Sequence, residues 1–210
     1  MDEEKINLKD FLYHKVLNVL NAYDYDDIYT IIFFVYSNEC FEYENYQNLS
    51  EFSVSNNTEQ YFKREYEDYM KTYRGEDDNM DTRENGRFSE IRWNYAYMSQ
   101  DETPIINDEN YEMLIKWYKQ EGIENIGFED DDCYDEHMNY IGKGPVGCYE
   151  LLQEVTQVAK RIQKEDYFLK KAGRRIPIII LEYEDTWYTR KATLEANVHG
   201  EACDYLEYAK

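Results

Sequence analysis

Three glycines in the second half of the chain have the spacing of a dinucleotide-binding loop. Gly142, Gly144 and Gly147 fit the pattern G-x-G-x-x-G, in which backbone N–H groups at the start of a helix bind a pyrophosphate. That chemistry requires a preceding apolar strand and an acidic residue about twenty positions later. Here residues 129–139 are acidic, and Pro145 removes one N–H that a phosphate would need. The pattern therefore favours a glycine-rich turn, and we expect no cofactor.

Two acidic segments have carboxylates at spacings that calcium ligands use. In segment 77–81 an Asp-x-Asn-x-Asp pattern matches the first ligands of a calcium loop, but Thr82 stands at the glycine position and Phe88 at the bidentate-glutamate position. Segment 130–136 is richer in carboxylates, yet it also lacks the required glycine. We therefore predict no specific metal site, while a loosely held divalent cation stays open.

A thiol and an imidazole four residues apart, Cys133 and His137, could in principle form a nucleophile–base pair. The carboxylates around them disfavour the thiolate that this chemistry requires. The sequence contains neither G-x-S-x-G nor His-x-x-x-His, so we expect a protein that is not an enzyme. Cys40, Cys148 and Cys203 lie far from Cys133 and from each other, which predicts reduced and mostly buried thiols.

The distribution of charge is more informative than these motifs. The 210 residues include 45 acidic and 23 basic side chains, a formal charge of −22, together with 23 tyrosines. Residues 101–140 hold thirteen Asp or Glu and two Lys, a local charge of −11, whereas residues 158–175 hold seven Lys or Arg and two acids, a local charge of +5. Either the basic segment neutralises acid inside the fold, or the acidic segment is a docking face for a basic partner.

Hydrophobic periodicity predicts the elements that must position these groups. Helical spacing predicts helices over 8–20, over 61–69 with a capping box at Asn57, over 113–118 with a cap at Asn107 or Asp108, over 149–171 before Gly173, and in 186–208. Apolar or alternating runs predict strands at 28–36, 41–43, 52–54, 91–97, 176–183 and around 205–206.

This order of elements predicts an α+β fold in one domain over residues 1–210, with several helices packed on a mixed or antiparallel sheet. A polar insertion is expected at about 74–87 and an acidic loop at about 123–147. The first residues lack the basic and apolar regions of a signal peptide, and no apolar run has the length of a membrane span. We therefore expect a soluble, cytoplasmic protein.

Several local patterns resemble an uncharacterised bacterial domain family associated with polymorphic toxin systems, whose members are candidate immunity proteins. These patterns are Asn57-Thr58-Glu59 at a helix start, RWNYAY at 92–97, Gly144-Pro145 before a long helix, and GRRIPIIILEY at 173–183. The resemblance covers about residues 7–208. It implies a small, acidic, cytoplasmic immunity protein, and it assigns no residue a role because the family has no established active site.

The leading hypothesis is an acidic binding protein that neutralises a basic partner, as an immunity protein does with a bacterial toxin. The candidate docking residues are Asp130, Asp131, Asp132, Tyr134, Asp135, Glu136 and Tyr140. Two alternatives stay open: a nucleic-acid mimic that inhibits DNA-binding proteins, and an enzyme with a concave pocket. Direct binding to nucleic acid or to acidic membranes is not expected, because a charge of −22 repels both.

Overall fold

A mixed four-stranded sheet organises the chain. It is seen in a computed structural model, which describes residues 5–38, 43–73, 83–129, 133–183 and 186–209. The strands are β1 (Ile28–Asn38), β2 (Leu49–Thr58), β3 (Thr103–Ile106) and β4 (Ile178–Leu181), in the spatial order β3-β2-β1-β4. Because β1 pairs antiparallel with β2 and parallel with β4, the predicted α+β class with a mixed sheet is confirmed.

The central strand β1 is buried on both faces, as its continuous apolar run predicts. Alternate side chains enter two separate cores. Phe33 packs edge-on against Phe52 in the larger core, with ring centroids 5.3 Å apart, whereas Phe34 enters the smaller one. Burial of each such side chain stabilises the fold by about 1.5–3 kcal/mol.

Helices cover both faces of the sheet. Those that contribute to the larger core are α1 (Leu8–Asn21), α4 (Tyr111–Gln120), α5 (Cys148–Lys164), α6 (Tyr167–Ala172) and α7 (Trp187–Ala196). Those on the smaller core are α2 (Glu59–Tyr73), α3 (Arg83–Trp93) and α8 (Cys203–Tyr208). Within the described ranges, none of these helices combines the length and the apolar content that crossing a membrane requires.

The strand predicted over 91–97 is wrong. Helix α3 continues to Trp93, and a 3-10 turn (Tyr95–Tyr97) follows it. The Asn94 side chain accepts a hydrogen bond from the Ala96 N–H and so starts this turn. A short alternating run fits a strand or a helix end equally well, and Ile91 is buried here from a helix. Residues 83–87 of the predicted polar insertion also belong to α3, while 74–82 lie outside the described residues.

Two further predictions in the C-terminal half need correction. The single helix expected over 149–171 is two helices, α5 and α6, because Asp166 between them adopts a left-handed conformation with φ 52°. Gly173 (φ 68°) ends α6, at the residue that the sequence indicates. The strand expected around 205–206 lies in α8, where Tyr205 is buried against Trp93.

The helix caps also differ from the prediction. The Tyr61 N–H donates to Thr58 Oγ1, so Thr58 and not Asn57 caps α2. The Asn57 amide instead donates to the Tyr29 hydroxyl at 2.8 Å inside the smaller core. A 3-10 turn (Asp108–Asn110) precedes α4, and Asn107 makes no side-chain capping bond there.

The outer edge of β4 is covered by side chains of α7 and of the residue that follows it. Thr193 Oγ1 accepts a hydrogen bond from the Ile180 N–H at 2.9 Å and donates one to the Ile180 carbonyl at 3.2 Å. Four residues along, Asn197 does the same for Ile178, accepting at 3.0 Å and donating at 2.7 Å. A helix thus satisfies the backbone groups that a fifth strand would otherwise bind.

Candidate functional site

A cleft of about 960 Å³ opens at the carboxyl ends of β1 and β4. In sheets with parallel strands, ligands bind at this end, because the loops that leave the strands diverge there. The lining comes from the end of β1, the residues after β4, the start of α7 and the acidic loop. These residues are Tyr36, Ser37, Asn38, Glu129, Tyr134, Asn139, Tyr140, Gly144, Pro145, Glu182, Tyr183, Thr186, Trp187, Tyr188 and Arg190.

A carboxylate, Glu182, follows β4 directly and lies in the cleft wall. It accepts a hydrogen bond from the Tyr188 hydroxyl, and its other oxygen lies 4.0 Å from the Cys148 sulfur. Burial and the nearby Glu182 charge raise the pKa of the Cys148 thiol to about 12. The protonated thiol is therefore favoured over the thiolate at neutral pH.

Ser37 lies at the end of β1, nine-tenths buried, and also lines the cleft. Its hydroxyl lies beside the weakly polar Cys148 thiol, and no other described residue forms a hydrogen bond with good geometry to its oxygen.

Aromatic rings form the walls of the cleft in edge-on pairs. Tyr36 packs against Tyr183 with centroids 5.1 Å apart, and Tyr134 packs against Tyr140 at 5.4 Å. On a third side, Trp187 packs against Tyr188 at 5.6 Å. The rings therefore line the cleft with aromatic surface, while the hydroxyls of Tyr36, Tyr140 and Tyr188 already donate to Glu51, Glu129 and Glu182.

The glycine pattern 142–147 forms one side of the cleft without the geometry of a dinucleotide loop. Backbone N–H groups that a phosphate would bind are already used by side chains: Gly144 N–H donates to the Tyr140 hydroxyl at 3.0 Å and Gly147 N–H to Glu150 at 2.9 Å. The Gly147 backbone, with φ 104°, packs against Tyr118, whose ring would lie 2.9 Å from an added Cβ. Close packing thus accounts for this glycine.

The predicted docking residues that the structure describes range from exposed to partly buried. Tyr134 is 57% exposed, and the Glu136 side chain is exposed beside it in sequence. The Asp135 carboxylate instead accepts hydrogen bonds from Asn139 and from the His137 N–H, which lower its pKa and hold the loop. Tyr140 is half-buried, and its hydroxyl donates to Glu129 at 3.2 Å. Asp130, Asp131 and Asp132 lie outside the described residues.

The two members of the possible nucleophile–base pair, Cys133 and His137, differ in exposure. Cys133 is buried, whereas the His137 side chain is exposed and its Nε2 lies 3.6 Å from a Glu136 oxygen. Cys148 is buried and Cys203 exposed. Within the described ranges no group of three His, Cys, Asp or Glu side chains could hold a metal ion, and segments 77–81 and 130–132 lie outside them.

The ion pairs of the basic segment, residues 158–175, test whether this segment neutralises the acidic residues 101–140. Arg161 pairs with Asp10 at 3.3 Å and with Glu165 at 2.9 Å. Arg175 pairs with Asp166 at 2.9 Å and with Glu201 at 3.4 Å. None of these acidic partners lies in 101–140, so these two arginines do not neutralise the acidic segment.

The acidic loop and the end of β4 also expose large apolar side chains, two of which, Tyr134 and Tyr183, line the cleft. The exposed fractions are 57% for Tyr134, 76% for Met138, 53% for Ile141 and 70% for Tyr183. We call these four residues the apolar rim. Exposed aromatic and methionine side chains that group together mark interaction surfaces.

Sequence reasoning missed the residues that close the other half of the cleft, Ser37, Glu182, Tyr183 and Trp187. The available signal was that both apolar runs end in a tyrosine followed by polar residues, at Tyr36 and at Tyr183. Those ends meet only if the two strands are parallel neighbours, which the runs themselves do not indicate.

The fold and the cleft together define an α+β protein with an aromatic-walled cleft at one end of its sheet. In comparisons with the models of known protein families, with curated proteins and with solved structures, the chain has no significant match.

Proposed function

We propose that this chain is an acidic binding protein that captures a basic protein, most specifically as an immunity protein that neutralises a bacterial toxin. The observation that carries the proposal is the cleft with its apolar rim. Tyrosine, tryptophan and methionine are the side chains enriched where proteins bind one another, and here they surround carboxylates.

Binding is favoured over catalysis by the chemistry of the cleft. Among its described lining residues there is no histidine, lysine or cysteine, and the neighbouring Cys148 thiol is held protonated. Glu182 and Glu129 already accept hydrogen bonds from tyrosine hydroxyls. Such groups can recognise a cation, while no nucleophile–base pair is assembled among these described residues.

The charge of the chain supports a basic partner. A formal charge of −22 attracts a positive surface over roughly a Debye length, about 8 Å at physiological salt, and raises the association rate. In the sequence, the lining residues Glu129 and Tyr183 are followed directly by 130–132 and 184–185, which add five carboxylates. The resemblance to immunity-associated proteins supports a toxin as the partner.

The test is affinity capture from the source cells with two variants of equal net charge. Glu129→Lys reverses a cleft charge, and Glu67→Lys reverses an exposed charge on α2, outside the cleft. We expect wild type and Glu67→Lys to capture one basic protein, with association at least roughly threefold slower for Glu129→Lys at low salt. The captured protein, produced alone, should arrest growth, and co-production of this chain should restore it.

Three outcomes would contradict the proposal. Equal capture by Glu129→Lys and Glu67→Lys would remove the cleft from the interface. A captured protein that leaves growth unaffected would reject the toxin. Capture of many DNA-binding proteins that duplex DNA displaces would favour a nucleic-acid mimic instead.

A further inference from the structure

We infer that residues 133–141 form a recognition hairpin whose tip residue, Met138, inserts into an apolar pocket of the basic partner, with positive charge at the border of that pocket. This assignment rests on the proposed function and names the side chain that anchors the complex. The anchor belongs to this chain, and the pocket belongs to the partner.

The tip of the recognition hairpin is a three-residue turn over 136–138. The Asp135 N–H donates to the Asn139 carbonyl at 3.0 Å, and the Met138 N–H donates to the Asp135 carbonyl at 3.0 Å. The Asp135 carboxylate also accepts hydrogen bonds from the His137 and Asn139 N–H groups, each at 2.8 Å. Backbone and side-chain bonds therefore hold the turn in this conformation.

The base of the hairpin is joined to the fold and to the cleft. The Ile141 N–H donates to the carbonyl of the buried Cys133 at 2.7 Å. Tyr134 and Tyr140 pair across the two strands, and both line the cleft. The hairpin is therefore one wall of the cleft, and the side chains at its tip are exposed to solvent.

Met138 occupies a backbone position that glycine ordinarily takes. Its φ is 61°, in the left-handed region that the last residue of such a turn adopts and in which a methionine is strained. Its side chain is 76% exposed and belongs to neither core, so it adds little to the stability of the fold. Backbone outliers of this kind cluster at binding sites, because function retains a residue that stability alone would not.

The surroundings of Met138 indicate the chemistry of the partner. The Glu136 side chain is 88% exposed, and Glu129 is exposed at the cleft. The surface that complements an exposed methionine beside carboxylates is an apolar pocket bordered by lysine or arginine. A second copy of this chain is a poor occupant, since each copy carries a formal charge of −22.

Met138→Gly separates binding from stability, because glycine removes both the side chain and the strain. We expect its urea midpoint to equal or exceed that of wild type, whereas loss of a structural side chain would lower it. The same variant should release the partner at least roughly tenfold faster, since the burial of a methionine is lost. Met138→Leu conserves the volume and should dissociate within roughly threefold of the wild-type rate.

The binding probe is the basic protein that the wild-type chain captures from the source cells, purified and immobilised. Surface plasmon resonance gives its association and dissociation rates with each intact variant. Leu194→Ala is the matched control, because Leu194 is 62% exposed on α7 and is not part of the cleft lining. We expect this control to dissociate at the wild-type rate.

Wild-type dissociation of Met138→Gly, or faster dissociation accompanied by a lowered urea midpoint, would overturn the inference, and capture that depends on Glu129 would still support the proposed function. A wild-type dimer that Met138→Gly dissociates would assign Met138 to self-association and overturn it as well. Conversely, a captured protein that leaves growth unaffected would reject the toxin and leave the Met138 anchor in place. Capture of no basic protein would reject both.

Discussion

The covered edge of β4 gives a quantitative prediction about stability. Thr193 is fully buried, and its hydroxyl satisfies both the N–H and the carbonyl of Ile180. Valine has nearly the same shape as threonine but can do neither. Thr193→Val therefore leaves two buried backbone groups without partners, while the apolar contacts of α7 stay in place.

The expected cost follows from the number of groups left unpaired. Each buried polar group without a partner costs about 1–3 kcal/mol, so Thr193→Val should lower the free energy of unfolding by about 2–6 kcal/mol. Thr193→Ser keeps the hydroxyl and loses one buried methyl group, which costs about 1 kcal/mol. The contrast between the two variants therefore isolates the hydrogen bonds from the packing.

Urea unfolding at pH 7, followed by tryptophan fluorescence, measures both variants on the same scale. We expect Thr193→Val to unfold at a clearly lower urea concentration than Thr193→Ser, with an unchanged dependence of free energy on urea. If Thr193→Val were as stable as Thr193→Ser, the backbone of β4 would not depend on α7, and this account of the sheet edge would be wrong.

Three further predictions concern charge, tyrosine burial and backbone conformation. Arg92 donates to both carboxylate oxygens of Glu59, at 2.6 and 3.0 Å, so Arg92→Lys should cost about 1 kcal/mol at pH 7. These bonds lower the pKa of Glu59, so the stabilisation is present above the pKa of Glu59 in the unfolded chain and is lost as the pH falls. The difference in free energy of unfolding between Arg92→Lys and wild type should therefore be smaller at pH 3 than at pH 7. Burial raises the pKa of the Tyr118 phenol, so its contribution is complete below about pH 10 and is lost as the pH rises. Above pH 10, the free energy of unfolding should therefore fall less steeply with pH in Tyr118→Phe than in wild type, and the two slopes should differ by about 1.4 kcal/mol per pH unit. Gly127 has φ 84°, and an added Cβ would lie 1.8 Å from a backbone oxygen, whereas Gly122 has φ 74° and open space around it. Thermal unfolding should show Gly127→Ala losing at least about 2 kcal/mol and Gly122→Ala about 1 kcal/mol; equal losses would contradict the steric argument.

The parts of the fold that could be predicted from the sequence are those in which one strong pattern dominates. The apolar runs that become β1 and β4 are rich in β-branched residues. They can therefore be predicted as buried strands without knowing which strands they pair with. The run over 91–97 is short, and the packing of Ile91 and Trp93 into the smaller core selects a helix end there. The preference of a short alternating run for a strand is too small in free energy to outweigh such packing.

The cleft could be predicted only in part. The acidic loop stands out through its charge, and Tyr134 and Glu136 in it lie on the surface. Ser37 at the end of β1 and Glu182 directly after β4 are ordinary polar positions, and they line one cleft only because residues 145 positions apart meet at one end of the sheet. That meeting depends on strand order, which a single sequence does not specify.

The parallel pairing of β1 with β4 has a consequence for synthesis on the ribosome. Phe34 pairs with Leu181, so the second partner is translated 147 residues after the first. At 5–20 residues per second this takes about 7–30 s, during which one apolar edge of β1 has no native neighbour. Because pairing across so long a separation is intrinsically slow, this edge is the part of the nascent chain most open to wrong association. The same late step completes the cleft, whose lining is assembled only after residues 182–190 have been translated.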